Sequence, residues 1–261
     1  MASPLKRALL GPLEIAYGLY AVAAFLVCGL LAFFLMLLPL GITARRHMAH
    51  FAAQAFFRLA GMPLRMLDAG QLPAGPCVVV ANHASYLDGV VLKAALPARF
   101  SFVIKKEVSR VPLAGFLLRR IGSEFVDRFN RHAGGMDARR LIKAADAGQA
   151  LAFFPEGTFL AQPGLGKFHT GAFAIAARAE LPIVPIAIRG TRHILPSGRF
   201  LPRPGRIHIQ VLPALGPLPG LDSTAAIAQT RDQSRARILA ALDEPDLSES
   251  DGVAELQARR P

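Results

Sequence analysis

The longest apolar segment of this 261-residue chain runs from Ile15 to Ile42 without a charged residue. It exceeds the roughly 20 residues that span a hydrocarbon core. It therefore predicts either one tilted transmembrane helix or a helical hairpin that enters one leaflet and returns, with Gly29 and Pro39 as places to bend. Lys6 and Arg7 precede the run, Arg45 and Arg46 follow it, and no small-residue cleavage site closes it. That pattern marks a retained anchor rather than a removed signal peptide. Arg58 and Arg65 add to the charge behind it and predict that the main domain lies on the cytoplasmic side of an inner or cytoplasmic membrane. From His47 to Leu59 the apolar positions take helical spacing, with Phe51, Ala55 and Leu59 on one stripe, and Gly61-Met62-Pro63 ends that amphipathic helix.

Beyond this point short apolar runs alternate with helical stretches. Cys77–Ala81, Phe100–Ile104, Ala150–Phe154, Ile183–Ile188 and Arg206–Leu212 read as strands; 90–96, 113–121, 132–147 and 171–180 read as helices. The alternation predicts an α/β fold with a mixed, largely parallel sheet flanked by helices and preceded by an N-terminal helical membrane anchor. A last helix is expected over 223–242. The tail after Asp243 is acidic and poor in large apolar residues, which predicts disorder. The expected organisation is residues 1–65 as anchor and amphipathic helix, 66–242 as the main domain, and 243–261 as tail.

Composition agrees with a membrane protein: 52% of residues are hydrophobic and 18% charged, with mean hydropathy +0.37, against about 25% charged in ordinary soluble domains. Two cysteines, Cys28 and Cys77, each inside an apolar run, exclude a disulfide framework and a cysteine-based metal site. The net charge of +12 fits nucleic acid, an anionic membrane or a phosphorylated substrate. The stretch Leu181–Leu221 carries Arg189, Arg192, Arg199, Arg203 and Arg206 and no acidic residue. It suits a lipid headgroup surface and lacks the interleaved aromatics of a nucleic-acid platform.

Two strand ends carry candidate chemistry. After the first long strand comes Asn82-His83-Ala84-Ser85-Tyr86-Leu87-Asp88-Gly89, at the carboxyl end where open α/β sheets bind ligands. In a regular helix five positions turn through about 500°, leaving His83 and Asp88 about 140° apart, so the pair meets only if a turn intervenes. Asn82 and Ser85 favour one. An imidazole held in one tautomer by a carboxylate is a proton acceptor. After another strand comes Phe153-Phe154-Pro155-Glu156-Gly157-Thr158, a turn whose glycine lets the backbone approach a ligand and whose amides could face an anion. Between them Lys105-Lys106-Glu107 and the segment Gly122 to Arg128 offer cations for a phosphate.

In this order and at these separations the elements resemble the glycerolipid acyltransferase family, over Gly75 to Leu212. Asn82 to Asp88 is similar to its first motif; Lys106-Glu107, Pro112, Gly115, Gly122 and Phe125-Val126-Asp127-Arg128 to its second; Phe154 to Thr158 to its third; and Leu181 to Ile186 to its fourth. The resemblance implies a fatty acyl transfer from acyl-CoA or acyl carrier protein to the hydroxyl of a lyso-lipid at a membrane, with 1-acyl-sn-glycerol 3-phosphate the first acceptor and phosphatidic acid the product. It implies that His83, polarised by Asp88, deprotonates the acceptor with no acyl-enzyme. Arg128 with Lys105 or Lys106 would hold the phosphate, and Glu156 and Gly157, followed by Thr158, would position the glycerol part. No cofactor, metal or nucleic acid is implied. The family often has an arginine where this chain has Phe159, and a basic pair where it has His169-Thr170, so another lyso-lipid or an amino-acid lipid stays open as acceptor. A thioester hydrolase and a non-catalytic basic membrane-binding protein are the competing readings.

Overall fold

The fold was analysed in a computed structural model, which describes residues 4–127, 131–216 and 224–248, without the side chains of 4–10 and 131–135. The helices are α1 (Pro4–Leu37), α2 (Ile42–Leu59), α3 (Asp88–Ala95), α4 (Pro112–Arg120), α5 (Arg131–Asp146), α6 (Gly171–Arg178), α7 (Thr191–Ile194) and α8 (Thr224–Leu242). The strands are β1 (Leu64–Leu67), β2 (Val78–Ala81), β3 (Phe100–Lys105), β4 (Glu124–Val126), β5 (Ala150–Phe153), β6 (Ile183–Arg189) and β7 (Ile207–Val211). They form one sheet in the order β1-β7-β6-β2-β5-β3-β4, parallel except where β7 runs antiparallel to β6. The expected mixed, largely parallel sheet between helices is therefore present.

The central strands are legible because both their faces are covered. In β2 every residue is buried, as a continuous apolar run in a parallel sheet requires. Val79 and Ala81 join a core with residues of α1, α2 and α3 on one face, while Val78 and Val80 join α5, α6 and α8 on the other. Two strands escape the sequence pattern. β1 is a four-residue edge strand containing Arg65, and β4 is a three-residue edge strand, starting at Glu124, in the segment read only as a cationic strand end.

Of the two forms expected of the apolar run, the structure has the single helix and not a hairpin within the run. It is one helix, continuous through Gly29, which ends before Pro39 and turns back into α2. Gly11–Leu37 is long and apolar enough to cross a membrane, yet α1 is docked on the domain along its length. Tyr17 donates to Ala60 O and Tyr20 to Leu59 O, both at 2.8 Å, and at the other end Arg120 Nε donates to Met36 O at 2.9 Å. Tyr17 and Met36 are about 28 Å apart along the axis. The docked face carries Ala21, Ala24, Cys28, Ala32 and Met36, small residues at helical spacing, whereas Leu19, Leu26, Leu30 and Phe34 on the other face are exposed.

Three further expectations need correction. Arg46, read as a charge flanking the anchor, is buried and donates to Ile121 O, Arg99 O and Ser101 Oγ, so it gives no information on sidedness. The arginines read as a headgroup surface serve largely inside the protein. Arg189 donates to Ala241 O, Arg192 to the carbonyls of Leu160, Gln162 and Gly164, and Arg199 and Arg203 each lie 3.3 Å from Glu14. The tail is ordered at its start: Leu165 N donates to Pro245 O and Leu247 N to Leu165 O, each at 3.0 Å, and Arg235 pairs with Asp246. Residues 249–261 lie outside the described residues.

Candidate active site

β2 lies between β6 and β5, and β3 follows β5, all four parallel. Their carboxyl ends therefore point the same way, which brings the segments after Ala81, Phe153 and Ile104 to one edge although they are distant in sequence. Asn82 fastens the first segment there: Nδ2 donates to Ile188 O at 2.9 Å and Oδ1 accepts from Ile188 N at 2.7 Å.

Residues 82–87 are not helical, and α3 begins only at Asp88. That turn removes the angular mismatch of a regular helix and lets His83 Nδ1 meet Asp88 Oδ2 at 2.9 Å. The same oxygen accepts from the amides of Ala84 at 2.6 Å and Ser85 at 2.8 Å. Asp88 is fully buried and the His83 side chain is 20% exposed. With the Nδ1 proton committed to Asp88, Nε2 is left as the proton acceptor. The imidazole stacks on Phe154, with centroids 4.3 Å apart and planes 18° apart, and meets the edge of Phe159 at 4.8 Å. Phe159 in turn packs on Tyr86, so the position where a cation was expected builds the wall of the histidine.

Glu156 has another place than the glycerol site. It is 8% exposed; Oε1 accepts from the amide of His83 at 2.6 Å and Oε2 from the amide of Gly166 at 2.9 Å. Burial pushes its pKa up to about 7, against the pull of those two amides. Glu156 thus ties the histidine turn to the loop at 164–166, which Arg192 and Glu244 brace from behind. Gly157, at φ +83, makes the turn that only glycine enters freely. Its own amide donates to Phe154 O at 3.1 Å within the turn.

His83, Lys105, Gly157 and Thr158 line one cavity of about 490 Å³ whose other walls are mostly apolar. Lys105 and Thr158 are exposed at it. Lys106 is exposed and lies 3.4 Å from Asp127. Arg128 lies outside the described residues. Phe25, Cys28, Ala32 and Met36 of α1, and Ala53 and Phe56 of α2, also line the cavity, a contribution that reading the segment as an anchor missed. Cys77 is buried and its thiol is pushed up to about 11 by burial, and Ser85 Oγ donates to Leu195 O. Neither is set up as a nucleophile. Among the described residues no group of three or more His, Cys, Asp or Glu side chains converges to hold a metal ion. A proton acceptor with a buried counter-charge, open to an apolar cavity, can activate a hydroxyl or a water beside an aliphatic chain.

The model of the family described as Acyltransferase matches residues 65–189. The chain is 32% identical over 196 residues to the lyso-ornithine lipid O-acyltransferase of Pseudomonas aeruginosa, covering 67% of this chain and 73% of that protein. It is 33% identical over 159 residues to a chloroplastic 1-acyl-sn-glycerol-3-phosphate acyltransferase of Brassica napus, covering 59% of this chain and 46% of the relative, so it spans about half that protein's length. The crystal structure of the 1-acyl-sn-glycerophosphate (LPA) acyltransferase PlsC from Thermotoga maritima superposes with a TM-score of 0.71 over 98% of this chain and 99% of that one, at 22% identity. That likeness establishes the fold.

Proposed function

The chain belongs to the acyltransferase family, and on that premise we propose that it transfers a fatty acyl group from acyl-CoA or acyl carrier protein to the free hydroxyl of a lyso-lipid, foremost 1-acyl-sn-glycerol 3-phosphate. The observation that carries this reading is the His83–Asp88 pair opening onto the apolar cavity. The acceptor oxygen attacks the thioester carbonyl while His83 Nε2 takes its proton; the imidazolium is held by Asp88, and the proton passes to the leaving thiolate. Carbon–oxygen bond formation and carbon–sulfur bond cleavage happen without an acyl-enzyme. The acyl chain lies in the cavity. Lys105, Lys106 and Arg128 supply the charge for the acceptor phosphate, and Thr158 meets its polar part.

The reaction takes place at a membrane surface. Docked on the domain at both ends of its apolar run, α1 presents one aliphatic face outward, as an interfacial helix does. A second acceptor class, an amino-acid lyso-lipid, is favoured by Phe159 standing where a phosphate-binding cation was expected, and by the likeness to the lyso-ornithine lipid O-acyltransferase, of which the chain covers 73%.

The test is to present the detergent-solubilised full chain with labelled acyl thioesters and a panel of lyso-lipids, alongside His83→Ala. Acylated product with a loss of about 10²–10⁴ in His83→Ala supports the reading. Thiol release without acylated lipid supports a hydrolase. Equal activity in His83→Ala with an unchanged thermal transition overturns it.

A further inference from the structure

The proton transfer leaves one buried charge of the cavity without a task. Lys93 stands on α3 about 7.5 Å beyond Asp88 along the helix axis, is 9% exposed, and lines the same cavity as His83. Its Nζ lies 5.7 Å from the centre of the Phe102 ring. Among the described residues no carboxylate comes within ion-pair distance of it and no side-chain or carbonyl oxygen accepts from it; only its backbone oxygen is engaged, by His50. Burial, and then the nearby guanidinium of Arg46, bring its pKa down to about 8. Arg46 already has three oxygens of its own. The ammonium therefore stays largely charged at neutral pH, with three donors and no acceptor. A lysine in apolar surroundings ordinarily extends its head toward open space, and here the space beside the side chain is the cavity that it lines.

We infer that Lys93 is a specificity determinant for acyl chains that carry an oxygen acceptor, a hydroxyl or keto group, beyond their first few carbons. Such an oxygen enters the cavity at a lower desolvation cost than a carboxylate and receives the ammonium's hydrogen bond. An unsubstituted chain leaves the ammonium desolvated and unpaired, so it is used less well. The inference rests on the reading that the cavity takes an acyl chain, and that chain can belong to the thioester donor or to the lyso-lipid acceptor.

The experiment uses the full chain in detergent with length-matched plain and hydroxylated acyl donors, and separately with plain and hydroxylated acceptors, for wild type and Lys93→Met. Methionine keeps the length of the side chain, and removing an unpaired buried charge does not threaten folding. Wild type should prefer the hydroxylated chain in one of the two arms by tenfold or more in kcat/KM, the scale of one charge-assisted hydrogen bond. That arm identifies whose chain occupies the cavity. Lys93→Met should abolish the preference and raise use of the plain chain. Equal use of both chains in both arms by wild type, or a preference that survives in Lys93→Met, overturns the inference. Should no thioester and acceptor pair turn over, the acyltransferase reading fails separately. Displacement of a fluorescent fatty acid by plain and hydroxylated fatty acids then decides on Lys93: stronger displacement by the hydroxylated acid in wild type alone supports its role, and equal displacement refutes it.

Discussion

On the proposed mechanism Asp88 has two separable tasks through one oxygen, and substitution can part them. Oδ2 accepts from His83 Nδ1 and from the amides of Ala84 and Ser85. Asp88→Asn keeps an oxygen that can serve those donors and removes the charge. When His83 takes the acceptor's proton, the imidazolium then has no counter-charge. Unit charges about 4 Å apart at an effective dielectric of about 20 attract by about 4 kcal/mol, which corresponds to about 10³ in rate. The expected loss of kcat in Asp88→Asn is thus roughly 10²–10⁴, with a small change in stability, because Oδ1 already lacks a partner and an amide nitrogen there meets the same surroundings. Asp88→Ala differs: it strands two main-chain amides in a dry turn, at about 1–3 kcal/mol each, and should lower the thermal midpoint markedly. The assay is thiol release from an acyl thioester together with chromatographic quantification of the acylated lipid, set beside thermal unfolding of each variant. An Asn variant within tenfold of wild-type kcat, with the same midpoint, would refute the counter-charge role. If the Asn variant were as unstable as the Ala variant, the carboxylate would be a clamp for the turn and nothing more.

Three other predictions rest on different parts of the site. Glu156 has its pKa raised to about 7 in the folded protein, so its contribution to stability is full below about pH 4.5 and is lost as pH rises through about 7. The change amounts to about 3 kcal/mol, and the slope of thermal midpoint against pH in this window should flatten in Glu156→Gln. Replacing Leu26, Leu30 and Phe34, on the exposed face of α1, with Gln should reduce sedimentation with lipid vesicles while turnover of detergent-dispersed substrates persists; unchanged sedimentation would show that another surface holds the membrane. Phe159→Arg should lower KM for lysophosphatidic acid by adding a phosphate partner and lower kcat, because a cation beside His83 opposes the imidazolium; steady-state kinetics read the two effects separately.

What the sequence reveals depends on whether a residue's partners are its neighbours in the chain. β2 and β5 are continuous apolar runs and β3 and β6 nearly so, and they declare themselves, while Arg65 and Glu124 sit in strands too short to build a pattern. The His83–Asp88 spacing is visible, and Asn82 and Ser85 indicate the turn that lets the pair meet. Glu156 is visible as part of a motif, but its role is not, because its partners are main-chain amides of His83 and of Gly166, and an amide carries no residue signature. Arg46 and Arg192 look like surface charge for the same reason: their acceptors are mostly carbonyls of distant turns. A signal for the docking of α1 was available and outweighed by the hydropathy of the run. Ala21, Ala24, Cys28 and Ala32 recur every three or four residues, a small-residue stripe that lets a helix lie close against another surface.

That stripe changes what the first 65 residues are. A boundary at residue 65 separates an apolar segment from an α/β unit by composition, but the cavity ignores it. Phe25, Cys28, Ala32 and Met36 face His83 and Phe154 across the same space, and Ala21, Ala24, Ala53 and Phe56 belong to one core with β2 and β6. The two faces of α1 thus differ: the outer face is aliphatic and exposed, and the inner face walls the cavity beside His83. On the proposed reading, an acyl chain delivered from a bilayer along α1 would meet mostly apolar walls on its way to His83, with Lys93 and Lys105 among them. The cost of exposing a long chain to water, about 0.8 kcal/mol per methylene, would be avoided on that path. This is a physical reason for a helix of spanning length to lie along its own domain instead of projecting away from it.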